Sequence, residues 1–217
     1  MENRKLLDEL LERYPQLEPI GSDIVKAAES LIQCYKNGGK VLVCGNGGSC
    51  SDSDHIVGEL MKGFEHKRPL GEAMKQKLVS IAGERGAYLA EKLQMALPTI
   101  SLTAHSALIT AVANDTDANL IFAQQVMGFG NAGDVLIGIS SSGNSQNVID
   151  AMLTAKLKGM VVIGLTGETG GKMKSLCDIL VNVPGRRTAF VQELHLPVYH
   201  TLCLMIEHHF FNRNTNN

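Results

Sequence analysis

Two side chains near the start of the chain, His55 and Glu59, carry an imidazole and a carboxylate that could perform chemistry. They lie four residues apart in a stretch from Ser51 to Phe64 whose pattern predicts a helix. Because residues i and i+4 share one face of an α-helix, the two groups would project side by side, as in helical zinc pairs. The pair alone is weak evidence, since a His and a Glu at this spacing are also common on solvated helices.

A second predicted helix, from Thr188 to about Asn212, carries Gln192, His195 and His200. Gln192 and His200 lie eight residues apart, which places them about 80° apart around a helix. If this helix faces the one that carries His55, the two together would supply a nitrogen and oxygen site suited to Zn²⁺.

A serine-rich loop, Ser140-Ser-Ser-Gly-Asn-Ser145, joins a predicted strand over Asp134–Ser140 to a predicted helix over Ser145–Lys158. Several hydroxyls, one glycine and the free N–H groups of a helix N-terminus would converge there. Such an arrangement binds a phosphate monoester without cationic side chains. The alternative interpretation is a serine-rich turn with an ordinary N-cap.

Three other motifs lack residues that their function requires. Gly45–Cys50 begins like a dinucleotide-binding turn, but it lacks the third glycine and the acidic residue expected about 20 positions later. Thr166–Lys172 resembles a nucleotide phosphate loop without its first glycine or the hydroxyl after its lysine. Asp115–Asn119 begins like a calcium loop without its glycine and terminal glutamate.

An alternating pattern of strands and helices must position these groups. Two amphipathic helices come first; the second is predicted to begin at Ser22 as an N-cap and to end at Asn37-Gly-Gly39. Because nearly all-apolar strands then alternate with helices, we expect one parallel sheet covered on both faces, with ligands bound at the carboxyl ends of its strands. The predicted strands are 40–45, 99–103, 134–140, 161–166 and 179–183.

Length, composition and charge narrow the class of protein. With 217 residues, 44% of them hydrophobic and 19% charged, the chain predicts one globular domain. A net charge of −2 argues against a nucleic-acid binder. No apolar run reaches the ~18 residues of a membrane span. The five cysteines are scattered without a C-x-x-C pair, which favours reduced thiols in a cytoplasmic protein.

Four segments occur in an order that resembles the bacterial phosphoheptose isomerases, a family of the sugar isomerase (SIS) domain superfamily. They are Cys44–Leu60, with its sequence CGNGGSCSDSDHIVGEL, the serine loop Ser140–Ser145, Thr166–Lys172 and Gln192–His200. The resemblance covers nearly the whole chain apart from Gly71–Leu97.

The resemblance implies an α/β fold in which helices flank a five-stranded parallel sheet in a flavodoxin-like three-layer sandwich. It implies a single domain over residues 1–217, which includes the two leading helices. It also implies a homotetramer with sites between subunits and one Zn²⁺ per subunit, with ligands at His55, Glu59, Gln192 and His200. The residues at substrate-binding positions are Asn46, Gly47, Gly48, Ser49, Asn114, Asp115, Ser140, Ser141, Ser142, Ser145 and Gln192, with Arg68 near the sugar phosphate.

The implied reaction converts the ketose sedoheptulose 7-phosphate to the aldose D-glycero-D-manno-heptose 7-phosphate, a precursor of heptose in surface polysaccharide. Moving a proton between C1 and C2 through an enediol needs a base at carbon and a proton shuttle between the oxygens. We expect Glu59 to act as the base and His200 as the shuttling acid. Because a tightly bound metal ligand is a poor base, Asp115 or a water is an alternative for one step.

Several features depart from the family pattern. We expect Gly71–Leu97 to be a helical insertion, with two helices separated near Gly83 and Gly86, that caps the site, adds a subunit contact or is a peripheral excursion. Pro197 removes one N–H from the last helix and predicts a kink near His200. Phe190 stands at a position that is often polar in the family.

Three other functions remain open. One is a non-catalytic adaptor like the SIS protein that binds the bacterial replication initiator, although such an adaptor has no need of all four metal-ligand residues. A second is an isomerase of a different phosphosugar, which the insertion makes plausible. A third is a sugar-phosphate-sensing regulator, although no DNA-binding module is attached.

Overall fold

Five parallel strands form a single sheet in the order β2-β1-β3-β4-β5. A computed structural model describes residues 2–212. The strands are β1 (Val41–Gly45), β2 (Thr99–Ser101), β3 (Val135–Ser140), β4 (Val161–Thr166) and β5 (Ile179–Asn182). This is the flavodoxin-like order, which confirms the predicted fold class.

Eight α-helices within residues 2–212 surround the sheet. They are α1 (Glu2–Arg13), α2 (Gly21–Lys36), α3 (Gly48–Met61), α4 (Glu72–Lys92), α5 (Ser106–Asp115), α6 (Ala123–Phe129), α7 (Gln146–Leu157) and α8 (Thr188–Phe211). Short 3₁₀ turns cover Pro15–Ile20, Ala118–Leu120 and Gly171–Ser175.

The alternation of side chains along the central strands produces two hydrophobic cores. Val43 and Ile137 pack on one face of the sheet, against α1, α2 and α8. Leu42 and Leu136 pack on the opposite face, against α6 and α7. Both faces are therefore covered, which explains why these strands read as unbroken apolar runs rather than alternating ones.

Several boundaries differ from the predictions; helix α3, for example, spans Gly48–Met61 rather than Ser51–Phe64. Ser22 is not an N-cap, because the 3₁₀ turn Pro15–Ile20 runs directly into α2, and Ile20 occupies the cap position. Strand β2 ends at Ser101 rather than Thr103. There the chain turns, and Ser101 Oγ bonds to the Thr103 hydroxyl at 2.7 Å.

Helix α8 runs from Thr188 to Phe211 with Pro197 inside it, so the proline does not end the helix, and the kink near His200 stays a prediction. The hydroxyl of Thr201 donates to the carbonyl oxygen of Pro197 at 2.9 Å, which occupies one acceptor in this turn. His200 is consequently presented from a continuous helix.

Helix α4 fills most of Gly71–Leu97 and is a helical hairpin. Ala82 and Gly83 have non-helical backbone angles, with φ of +52° at Gly83, so the two halves separate where the sequence predicts. A Cβ at Gly86 would collide with the carbonyl of Leu78, which shows how closely the halves approach. A bridge between Pro69 and Gln94 closes the base of the hairpin.

No helix within residues 2–212 has the length and apolar character needed to cross a lipid bilayer.

Candidate active site

The turn after β1 brings a glycine-rich backbone against α8. Gly47 has a φ of +57° and precedes the first residue of α3, a conformation that favours glycine. A Cβ at Gly48 would collide with the side-chain amide of Gln192. The turn is tied to α7 by two amide hydrogen bonds between Asn46 and Asn147, of 2.8 and 2.9 Å.

The serine loop is held in place by its neighbours. The Ser140 and Ser145 hydroxyls lie 2.9 Å apart, and Ser145 occupies the N-cap position of α7 without a capping hydrogen bond from its side chain. Gly143 has a φ of +65°, and a Cβ there would collide with the carbonyl of Gly170. The backbone N–H of Gly167 donates to the Ser141 carbonyl at 3.0 Å. The loop therefore has the strand-to-helix setting expected of a phosphate-binding site.

His55, Glu59 and His200 form a cluster on the facing surfaces of α3 and α8. His55 Nε2 lies 3.2 Å from Glu59 Oε1, and the two imidazole rings are 4.9 Å apart at nearly right angles. Lys62 Nζ lies 3.4 Å from the other Glu59 oxygen. The side chain of His55 is 42% exposed and that of Glu59 is 12% exposed. The predicted pairing of the two helices is thus present.

His200 is the least satisfied member of this cluster. Its Nε2 atom is buried and has no hydrogen-bond partner among the described residues. Burial lowers the pKa of His200, the nearby His55 lowers it further, and Glu59 raises it. Its imidazole is therefore biased toward the neutral form, which carries one donor and one acceptor nitrogen.

Tyr199 and Asp52 adjoin the cluster, and the sequence patterns did not single out either residue. The Tyr199 hydroxyl lies 3.0 Å from His55 Nδ1 and donates to Asp52 Oδ1 at 3.2 Å. Burial raises the pKa of Asp52, which the Tyr199 bond and His55 partly offset. Burial also raises the pKa of Tyr199.

The side chains of this cluster can be compared with the ligand sets of known zinc sites. Two imidazoles and one carboxylate match the His₂Glu sets of catalytic zinc sites, and the orphaned Nε2 of His200 is a suitable ligand atom. As placed, no three His, Cys, Asp or Glu side chains within residues 2–212 surround a common metal position. Eight helical residues also put Gln192 about 12 Å from His200 along α8, so Gln192 is not gathered with the other three.

Arg68 is placed differently from the sequence expectation. Its side chain is fully buried and pairs with Glu207 Oε1 at 2.7 Å, while its other N–H groups donate to the carbonyls of Leu60 and Glu59. Hydrogen bonds from three backbone N–H groups and Arg68 outweigh burial and lower the pKa of Glu207. Because Arg68 is occupied in the core, the structure does not bring it to the serine loop.

Asn114 and Asp115 lie at the exposed C-terminal end of α5. The Asn114 amide donates to Asp115 Oδ1 at 2.8 Å, and both side chains face away from the protein core. The structure therefore places this pair on an open surface, and their roles in substrate binding and catalysis stay predictions.

A groove of about 380 Å³ runs beside His200, between α1 and α8. Tyr14, Phe64 and Pro197 line it together with His200. No residue of the serine loop contributes to this groove. This groove therefore does not connect His200 to the serine loop.

His195, the remaining histidine singled out on α8, is a core residue. It is fully buried, and its Nε2 donates to the carbonyl of Thr166 at 3.2 Å. Burial lowers its pKa to about 4.

Asn147, which bonds to Asn46, is another polar residue that the sequence patterns missed. Its position in the first turn of α7, directly after the serine loop, is the signal that could have indicated it.

Comparison with known proteins agrees with this architecture. A family profile described as the SIS domain matches residues 7–77 and 80–167. The phosphoheptose isomerase of Maridesulfovibrio salexigens is 38% identical over 204 residues, which cover 94% of this chain and 84% of that protein. The profile does not delimit an insertion at 71–97, which stays a prediction.

Solved structures give the same result. Phosphoheptose isomerase from Neisseria gonorrhoeae superposes with a TM-score of 0.71 at 37% identity, covering 92% of this chain and 94% of that one. The enzyme from Francisella tularensis gives 0.72 at 32% identity, covering 94% and 95%. The chain therefore belongs to the SIS domain family and, within it, to the phosphoheptose isomerases, which are phosphosugar isomerases.

Proposed function

We propose that the protein converts sedoheptulose 7-phosphate to D-glycero-D-manno-heptose 7-phosphate through an enediol. The observation that carries this proposal is the cluster of Glu59 with His55 and His200, because it supplies a carboxylate and a neutral imidazole for proton transfer. The serine loop after β3 supplies hydroxyls and helix N–H groups for the phosphate. The named function of the relatives agrees with both features.

The proton transfers can be assigned to these side chains. Glu59 removes a proton from C1 of the ketose while His200 donates a proton to the C2 oxygen, which gives the enediol. Glu59 then returns its proton to C2 and His200 takes the proton from the C1 oxygen, so both groups end as they began. Asp115 or a water remains the alternative for one of these transfers.

We further propose one Zn²⁺ per subunit, held by His55, Glu59 and His200, with Gln192 as the fourth ligand. When bound, the ion would polarise the sugar oxygens at C1 and C2 and so acidify the neighbouring C–H bond. The donor types and the orphaned His200 nitrogen support this assignment. Binding requires the side chains to turn toward a common point, and Gln192 to extend along α8.

We also propose a homotetramer with sites between subunits, and the spacing of these groups supports a site shared between copies. The serine loop lies at the carboxyl end of the sheet, where α3 begins, whereas Glu59 lies eleven residues along that helix. At 1.5 Å per residue the separation is about 16 Å, longer than an extended seven-carbon sugar phosphate. We infer that the histidine cluster of one copy faces the serine loop of another copy, with Asn114 and Asp115 lining the shared site.

The proposed setting is the bacterial cytoplasm, where the product would enter heptose synthesis for surface polysaccharide. All five cysteines are free, which agrees with a reducing compartment. An isomerase of a different phosphosugar is the second candidate. The cluster lies on an open surface, where the His55 side chain is 42% exposed. No wall of the single chain therefore limits the length of the sugar that could bind there.

Substrate choice and chemistry can be tested together in deuterated water. Incubation with sedoheptulose 7-phosphate is expected to yield the aldose with deuterium at C2, because the proton held by the base exchanges with solvent. Five- and six-carbon ketose phosphates serve as comparisons. Faster turnover of one of them would assign the chain to that sugar, and no exchange with any of them would favour the adaptor function.

A further inference from the structure

Tyr199 lies between the two histidines and the half-buried carboxylate of Asp52. Only 2% of its surface is exposed. Its ring meets that of His55 at 5.5 Å and that of His200 at 5.1 Å, both nearly edge-on. Its hydroxyl reaches His55 Nδ1 at 3.0 Å and Asp52 Oδ1 at 3.2 Å. The phenol is therefore packed in one orientation, with a polar partner on each side.

The number of available protons limits how these groups can bond. A phenol has one proton to donate, and an ionised carboxylate can only accept. If Tyr199 donates to Asp52, its oxygen must accept from His55, so the imidazole proton lies on Nδ1. In a neutral imidazole the other nitrogen, Nε2, then carries a lone pair and faces Glu59 Oε1 at 3.2 Å, and two acceptors at this distance are stable only with a cation between them.

We propose that Tyr199, held by Asp52, is a positioning residue that keeps the proton of His55 on Nδ1 and presents the Nε2 lone pair to a cation beside Glu59. The inference rests on the proposed function for the identity of that cation, Zn²⁺. Histidine ligands of metals commonly donate their second N–H to an acceptor that fixes tautomer and ring orientation. Here the acceptor is a tyrosine oxygen, oriented in turn by a carboxylate.

The alternative is the reverse arrangement of the protons, and experiment must distinguish it from the first. A protonated Asp52 would donate to Tyr199, Tyr199 would donate to His55 Nδ1, and Nε2 would carry the proton toward Glu59. In that state His55 offers a donor rather than a lone pair to the site, and the tyrosine would oppose metal binding.

Zinc affinity measured by competition with a chromogenic chelator gives the first test. Tyr199→Phe is expected to weaken binding about 10- to 100-fold, the usual cost of removing such an outer partner. Tyr35→Phe is the matched control, because Tyr35 is also buried but bonds to Thr99 in the core. Equal affinity of the two variants would overturn the proposal.

The tautomer of His55 gives a second readout that needs neither zinc nor substrate. Long-range ¹H–¹⁵N spectra of metal-free Glu59→Ala, in which no carboxylate competes for a proton on Nε2, should show the proton on Nδ1, with His55→Gln used for assignment. When Asp52→Ala is added to Glu59→Ala, the Tyr199 proton is released toward His55, so the imidazole proton should move to Nε2; Asp52→Ala also serves if Tyr199→Phe fails to fold.

The two measurements separate this inference from the proposed function. A proton on Nε2 in metal-free Glu59→Ala overturns the positioning role whatever the zinc affinity. A proton on Nδ1 that moves when Asp52→Ala is added supports the role, even if the wild-type protein binds no zinc and the proposed cofactor is wrong.

Discussion

Glu59 is held between opposite partners, with His55 on one carboxylate oxygen and Lys62 on the other. Its position on a continuous helix, one turn after His55, fixes it relative to the imidazole. The side chain is nevertheless within reach of solvent, and so of a substrate.

Replacing Glu59 by Gln should lower kcat by about 10²- to 10⁴-fold, the range for loss of a general base. Stopped-time assays of aldose formation measure this, with zinc content determined on the same samples. Glu65→Gln, a change at an exposed carboxylate on the following loop, should leave turnover unchanged. Normal turnover of Glu59→Gln with zinc still bound would show that another group is the base.

His195 makes a separate prediction about stability. Its pKa is about 4 in the folded protein, whereas an unfolded chain has a value near 6.5. Between these values the unfolded state binds the proton and the folded state does not. The contribution of His195 to the free energy of unfolding is therefore fully present above pH 6.5 and is lost as the pH falls toward 4. The shift corresponds to about 3 kcal/mol.

Urea unfolding of the wild-type protein and His195→Gln across this range measures the contribution. Glutamine keeps an amide donor for the Thr166 carbonyl but does not titrate, so its free energy of unfolding should fall less between pH 6.5 and pH 4. Identical pH dependence in the two proteins would show that His195 is not the group responsible.

At the level of elements, the segment between α3 and α4 is fixed to α8 by one buried ion pair. Glu207 accepts hydrogen bonds from the backbone N–H groups of Phe64, Glu65 and His66 as well as from Arg68. Arg68 in turn bonds to the last carbonyls of α3. This pair therefore sets the position of α3 relative to α8, and with it that of Glu59 relative to His200.

Arg68→Met should destabilise the fold by about 3–5 kcal/mol, because it leaves the Glu207 carboxylate buried without its cation. Chemical denaturation measures the loss. Arg186→Met is the matched control, since Arg186 pairs with Glu168 on the surface and such pairs contribute ~1 kcal/mol or less. Similar losses in the two variants would contradict the central role of the buried pair.

The elements that sequence predicted well are those set by local pattern. The apolar runs of β3 and β4, the serine loop and the glycine-flanked break in α4 all follow from neighbouring residues. The contacts that complete the site join distant residues instead. His55 meets Tyr199 across 144 positions, and Arg68 meets Glu207 across 139, so no local pattern could reveal that Arg68 is a core residue.

The whole molecule has an unusual exposed feature in the α4 hairpin. Its apolar side chains Met74, Val79, Ile81 and Tyr88 are between 44% and 70% exposed. Its ends are held together at the base by the Pro69–Gln94 bridge, so a short linker can replace it without opening the sheet. These features fit the expected cap or added subunit contact.

Replacing residues 72–92 by a short linker should reduce activity or convert the proposed tetramer to smaller species. Light scattering coupled to size exclusion measures the mass, and aldose formation measures the activity. Leu157→Asp, at an apolar side chain of α7 that is 76% exposed, is the control for surface hydrophobicity and should alter neither. A shortened protein with full activity and unchanged mass would leave the hairpin a peripheral excursion.

The most direct test of the central claim is an assay of the zinc-loaded protein with sedoheptulose 7-phosphate, with product identified by its aldehyde carbon in NMR spectra. We predict formation of D-glycero-D-manno-heptose 7-phosphate, and loss of that activity when a chelator removes the metal. Zinc bound without any aldose product would contradict the assignment and indicate a different sugar. Neither zinc nor product would indicate a non-catalytic SIS adaptor.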